Sequence, residues 1–228
     1  LVGDNDGPLI NTSAHGTVTG DTAGGLVGHN EGTVSNSLAT GTVDDTATTT
    51  GGLVADNSSL SGTVRNAYWD VNTTNQSTSE GGTGLPTANL TGQSVSDLAG
   101  LNETSVWTLT DSYPVLRWRV EDLGLTLADT SLDVGESTSA TVSLALAGGS
   151  SETASATSEY SSDDTSVATV DAGTVTADGE GTVTVTAKAA GDVDTAQLSV
   201  SDPSSGGSPG GGPAGGPVAP SPPVDENG

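Results

Sequence analysis

The run Leu1-Val2-Gly3-Asp4-Asn5-Asp6-Gly7 returns as Leu26-Val27-Gly28-His29-Asn30-Glu31-Gly32, at an offset of 25 residues. The register continues through Asn11 and Asn36, then through Gly16-Thr17-Val18 and Gly41-Thr42-Val43. A third copy opens at Gly51-Gly52-Leu53-Val54-Ala55-Asp56-Asn57, 27 residues after Gly24, and regains the pattern at Gly62-Thr63-Val64-Arg65-Asn66 after three extra residues. Each copy carries two or three apolar dipeptides and has too little apolar surface to bury alone, so the copies must bury one another. The apolar runs are too short for helices and lack i, i+3, i+4 spacing. Pairs such as Leu26-Val27 and Thr42-Val43 suit short strands. The Asn-x-Gly and Gly-Gly steps suit corners with positive φ. Stacking places Leu26, Val27 and Val34 near Leu1, Val2 and Leu9, with Leu1, Leu26 and Leu53 in one column. Asn5, Asn30 and Asn57 then coincide and can form an amide ladder.

The segments Gly25-Leu26-Val27-Gly28 with Asn30 and Gly32, and Asn36-Ser37-Leu38-Ala39-Thr40-Gly41, resemble the GLUG-motif repeats of large exported adhesin-like proteins. The third copy departs from the motif, with Ala55 for Gly and Ser58-Ser59 for the acidic-Gly turn. The following stretch is similar to the segment that closes such arrays: Asn66-Ala67-Tyr68-Trp69-Asp70, Gly81-Gly82-Thr83-Gly84-Leu85, Val106-Trp107 and Tyr113-Pro114-Val115-Leu116. The resemblance covers roughly residues 1–120 and implies the C-terminal coils and cap of a right-handed parallel β-helix-like solenoid. All three Trp, at 69, 107 and 118, and two of the three Tyr lie within residues 68–118. Large rings at the end of an array of small residues fit a cap that covers the last coil and its open edge. The rival reading is a glycan-binding platform built on Trp69 and Trp107. Leu90, Val95, Leu98 and Leu101 outline a short helix around residues 94–101. The chain opens inside a repeat with no comparable cap, an expectation of a longer parent.

Periodicity changes after Arg119. Ala140-Thr141-Val142-Ser143-Leu144 and Gly181-Thr182-Val183-Thr184-Val185-Thr186-Ala187 alternate as half-buried strands do. Close-spaced strands with Gly and Asp turns over about 80 residues read as a small antiparallel sandwich. The run Ser161-Ser162-Asp163-Asp164-Thr165-Ser166-Val167-Ala168-Thr169-Val170, followed by Gly173-Thr174-Val175-Thr176-Ala177 and Gly181-Thr182, resembles the bacterial Ig-like domain of group 2. Such domains serve as spacers, and some present an adhesive surface. Tyr160 stands where that family often has Trp. The expected organisation is thus all-β: a repeat solenoid with an aromatic cap over 1–120, an Ig-like β-sandwich over 121–201, and a disordered Pro/Gly/Ser linker over 202–228. The linker holds seven of the ten Pro, which interrupt strand ladders and favour extended chain.

Twenty-nine acidic residues against four basic ones give a formal charge of -25. Such a surface repels nucleic acid and anionic membranes. Self-repulsion at this density destabilises a compact state unless salt screens it, which points to a salt-adapted source, archaeal by expectation. Without Cys there is neither a disulfide framework nor thiolate chemistry. No segment reads as membrane-inserted or as a signal peptide.

Catalytic equipment is sparse. His15 aligns with Thr40 and His29 with Asp4, so the histidines do not form a repeated pair. No metalloprotease, P-loop, nucleophile-elbow or dinucleotide motif occurs. Asp4, Asp6, Glu31, Asp44, Asp45 and Asp56 lie on the repeat. Carboxylate pairs among 29 acids arise by chance, so polysaccharide cleavage ranks last. Asp4-Asn5-Asp6-Gly7 and Ser161-Ser162-Asp163-Asp164 invite weak cation association, without a calcium-binding loop motif. N-glycosylation sequons stand at Asn11, Asn57, Asn72, Asn75, Asn89 and Asn102. The expectation is a non-catalytic structural or adhesive module of an extracellular protein, without cofactor, whose partner is another surface protein or a glycan.

Overall fold

A computed structural model describes residues 1–44, 46–58, 61–102 and 104–203. Most of the expected linker, from residue 204 onward, lies outside the described residues, as does Asp45. The described chain is all-β apart from three 3-10 turns.

Every strand pairing between the repeat copies is parallel, in the register read from the repeat. Val2–Asn5, Val27–Asn30 and Val54–Asp56 form one three-stranded sheet, with Val2 beside Val27 and Val27 beside Val54. Pro8–Ile10, Thr33–Ala39, Thr63–Asp70 and Thr83–Leu85 form a second sheet, flanked by Ser13–Ala14 beside the end of Thr33–Ala39. Thr22–Gly24 pairs with Thr49–Gly51, and Val18 bridges Val43. The interior holds Leu26, Val27, Val34, Ala39, Leu53, Val54, Ala67 and Trp69. Leu26 and Leu53 are buried but Leu1 is 70% exposed, so the expected leucine column has two members. The continuous column is instead Val2, Val27 and Val54.

The corners differ from the expectation in an instructive way. Left-handed backbone falls on Asn11, Asn36 and Asn66, with φ of 55°, 51° and 46°. Asn tolerates this region because its short polar side chain bonds locally. Repeat glycines serve close approach instead. A Cβ on Gly32 would meet the Gly7 backbone, and one on Gly41 the Gly16 backbone. The predicted amide ladder forms: Asn5 Nδ2 donates to Asn30 Oδ1 at 2.7 Å, and Asn30 Nδ2 donates to Asn57 Oδ1 at 2.7 Å. Asn30 is fully buried. Its truncation to Ala leaves an amide unpaired above and below, so Asn30→Ala should lower the unfolding free energy by about 2 kcal/mol. Urea denaturation followed by circular dichroism checks this, and a loss within a few tenths of a kcal/mol would remove the ladder's structural role.

The aromatic segment does two separate jobs. In the column Ala14, Ala39, Trp69, the ring takes the place of two methyl groups, and it lies against Gly52 and Gly84. Trp69 therefore fills the interior at the last coil. Leu38 and Tyr68 look the other way and pack with Leu90, Val95, Leu101, Trp107 and Leu116. Most of the cap thus covers the side of the second sheet. The expected helix at 94–101 is replaced by 3-10 turns at Thr87–Asn89 and Gly92–Asp97.

Trp107–Thr108 pairs with Val115–Leu116 in a short antiparallel ribbon, and the strands from Val120 onward form two facing sheets. One orders Val120–Leu127, Ser137–Leu146, Thr174–Ala177 and Ala168–Asp171, with Ser150–Thr153 also on Ser137–Leu146. The other orders Ser131–Asp133, Asp192–Ser201, Gly181–Ala189 and Glu159–Ser162. All pairings are antiparallel except Ser131–Asp133 with Asp192–Ser201. Ser137–Leu146 alternates exposed and buried through all ten residues, as its Thr/Val/Leu pattern requires. Tyr160 packs against the core and donates its hydroxyl to the Ser155 carbonyl at 2.9 Å, so the smaller ring retains an anchored place.

Candidate functional site

The residues singled out by sequence are dispersed. Trp69 and Trp107 are 6% and 2% exposed, so neither presents an open ring face for a sugar to stack on. Trp69 also spends its indole N–H on the Gln76 carbonyl, at 3.1 Å. Only Trp118 is exposed, at 74%.

Each histidine bonds to the next copy of the repeat. His15 Nδ1 and the Thr40 hydroxyl are 2.7 Å apart, and its ring lies tilted 6.5 Å from that of Tyr113. His29 sits between Glu31 and Asp56, at 3.3 and 3.1 Å. Bonding to Glu31, then Asp56, raises its pKa. Among the described residues, no three His, Asp or Glu side chains converge as metal ligands. The acidic turn at 161–164 uses its carboxylates internally: Asp163 accepts from the Thr184 N–H, and Asp164 from the N–H and hydroxyl of Ser166.

Two aspartates organise the middle of the chain. Asp70 is fully buried at the end of Thr63–Asp70. Its Oδ1 accepts from the N–H of Asn72 at 2.7 Å and of Thr73 at 3.2 Å. Its Oδ2 accepts from the Tyr113 hydroxyl at 2.5 Å. Burial alone pushes this carboxyl up, but Tyr113, Thr87 and the two backbone donors together hold it below the usual carboxylate value. Burial, then Asp70, pushes the Tyr113 hydroxyl up.

Asp111 joins the aromatic segment to the sandwich. Its carboxylate accepts from the N–H groups of Ser155 and Ala156, at 3.0 and 2.9 Å, while its own N–H donates to the Thr153 carbonyl at 2.7 Å. Thr157 donates to the Leu109 carbonyl, Gln93 to the Ala156 carbonyl, and Val115 enters the sandwich core. Beside this clamp the two parts separate around a cavity of about 490 Å3, lined by Trp107, Thr108, Leu109, Arg117, Glu159 and Lys188 among others. Its walls come from five stretches between Ser96 and Val193, which is why no local motif announces it.

The sequons divide by environment. Asn72, Asn75, Asn89 and Asn102 are exposed. Asn11 has its side-chain oxygen buried at a left-handed corner, and Asn57 ends the amide ladder. Glycopeptide mass spectrometry of the native protein should find modification at Asn75 and Asn89 and none at Asn11. Full occupancy at Asn11 with Asn75 bare would reverse this order.

Residues 120–200 match the family of bacterial Ig-like domains (group 2). The chain is also 35% identical over 98 residues to halomucin of Haloquadratum walsbyi, a match covering 42% of this chain and 1% of that protein. The chain therefore spans a very small part of that relative's length.

Proposed function

We propose that this chain is a non-catalytic structural module of an exported, cell-surface protein from a high-salt environment. In this reading residues 1–120 are GLUG-type coils of a right-handed parallel β-helix-like solenoid, ended by the aromatic segment. Residues 121–201 are an Ig-like spacer, and 202–228 a linker. The observation that carries it is the parallel, residue-for-residue pairing of the copies, Val2 to Val27 to Val54 and Asn5 to Asn30 to Asn57. Stacking of this kind builds length from units with little interior of their own. The likeness of residues 120–200 to bacterial Ig-like domains and the partial identity to halomucin support a surface role.

Charge supports the high-salt setting. At -25 the folded state repels itself, and screening shortens from about 10 Å at 0.1 M salt to about 3 Å at 1 M. No helix among the described residues is long and apolar enough to cross a membrane. Antibodies raised against the folded chain should label intact cells of the source organism, and brief external protease should abolish the labelling. Labelling only after lysis would overturn the surface assignment.

A further inference from the structure

We propose that the cavity between the aromatic segment and the sandwich binds a sugar bearing a carboxylate, of the uronate class, an activity beyond the spacer role and independent of it. The chain has four basic residues, and two of them, Arg117 and Lys188, line this one space. Among the described residues neither forms an ion pair. Arg117 is held in place: Nη1 donates to the Thr104 carbonyl at 3.2 Å, and the guanidinium lies over Gly191, where any Cβ would collide with Nη2. Gly191 has φ of 78°, a backbone that glycine adopts without cost, so the turn after Gly181–Ala189 can approach the guanidinium closely.

A second, separate observation concerns unsatisfied polar groups. Among the described residues five buried side-chain polar atoms lack a partner, and two of them, Trp107 Nε1 and Thr108 Oγ1, belong to walls of this cavity. Trp107 and Thr108 are only 2% and 5% exposed. Both atoms are closed to solvent, so a ligand oxygen that reached them on a small shift of the wall would recover the cost of the unmade bond. The volume lies within the ~300–1,000 Å3 range of small-molecule sites.

The lining specifies the chemistry. Two cations call for an anionic group, best a carboxylate facing the Arg fork. Leu109 and Val193 supply apolar surface for the C–H face of a ring. Glu159 and Asp192, on the same walls, accept from hydroxyls and would repel a purely anionic ligand. A sugar with one carboxylate and several hydroxyls satisfies all three conditions, whereas a simple carboxylate satisfies one.

The test is an NMR titration of the full, 15N-labelled chain with sodium glucuronate, with glucose and sodium acetate in parallel at the same ionic strength. Three Trp give three indole N–H resonances, so the Trp107 signal is separable. Glucuronate should move that resonance and the Gly191 amide to saturation. Glucose and acetate should each bind about tenfold or more weakly. Lys188→Gln, at an exposed position that leaves the core untouched, should weaken glucuronate about five- to tenfold, and Arg117→Lys at least as much. An unmoved Trp107 resonance, equal shifts with acetate, or unchanged affinity in Lys188→Gln would each overturn the proposal.

Discussion

Asp70→Ala lowers the unfolding free energy by about 3–5 kcal/mol, the largest single-residue effect expected in this chain. The substitution strands two backbone N–H groups, those of Asn72 and Thr73, and the Tyr113 hydroxyl, all now satisfied by one buried carboxylate. Tyr113 belongs to the segment covering the second sheet, so the cap loses a fixed point as well as three bonds. Asp70→Asn keeps an acceptor for the backbone and should cost about half as much. The pH dependence has a definite sign. The folded-state pKa is depressed, so the stabilisation is complete above the ordinary carboxylate range and disappears as pH falls through the folded value. Urea melts at constant high salt, repeated at neutral and strongly acidic pH, read both effects. A neutral-pH loss below about 1 kcal/mol for Asp70→Ala would contradict the role assigned to this carboxylate.

Gly41→Ala is expected to cost about 3 kcal/mol, while Gly16→Ala, its equivalent one coil earlier, stays within about 0.5 kcal/mol. The difference is directional. A Cβ on Gly41 would sit against the Gly16 carbonyl, with the Gly16 carbon and nitrogen at 2.7 and 2.9 Å. These are backbone atoms locked by neighbouring inter-coil bonds, Thr40 to Ala14 and Val18 to Thr42, each 2.8 Å, so they cannot yield cheaply. A Cβ on Gly16 meets nothing within 4 Å. Thermal unfolding of the two variants side by side makes the comparison, and equal losses would show that backbone entropy, not coil-to-coil spacing, sets the need for glycine.

The offset of 25, then 27, then 30 residues was readable from the sequence, and the pairings follow it: Val2 with Val27, Val27 with Val54, Thr33 with Thr63. Strand alternation from Ser137 to Leu146 was equally legible. Backbone conformation at the corners was not, because Asn and Gly both serve tight turns and only three-dimensional spacing decides which residue needs room. The aromatic segment was expected to cap the end of the array; where it packs depends on the left-handed turn at Asn36, after which Leu38 joins Tyr68 and Trp107 in a separate cluster. Asp70 was legible as the end of the run Asn66-Ala67-Tyr68-Trp69-Asp70 but not as a buried anchor, and Asp111 carried no pattern at all, because one carboxylate among 29 acids does not announce its burial or its partners. The cavity escaped notice because its walls are assembled from segments as far apart as Ser96 and Val193.

The one parallel pairing in the sandwich bears on mechanical load. Ser131–Asp133 runs alongside Ser199–Ser201, tied by bonds from Ser199 to Thr130 and from Val134 to Ser201, each 2.9 Å. A pull on the C-terminal end, resisted from the amino-terminal side, slides these two strands lengthwise past each other. Their bonds are then strained together rather than unzipped in turn, so rupture requires a larger force than peeling a hairpin. A unit tied this way can transmit the drag of moving water along the chain while keeping its core closed.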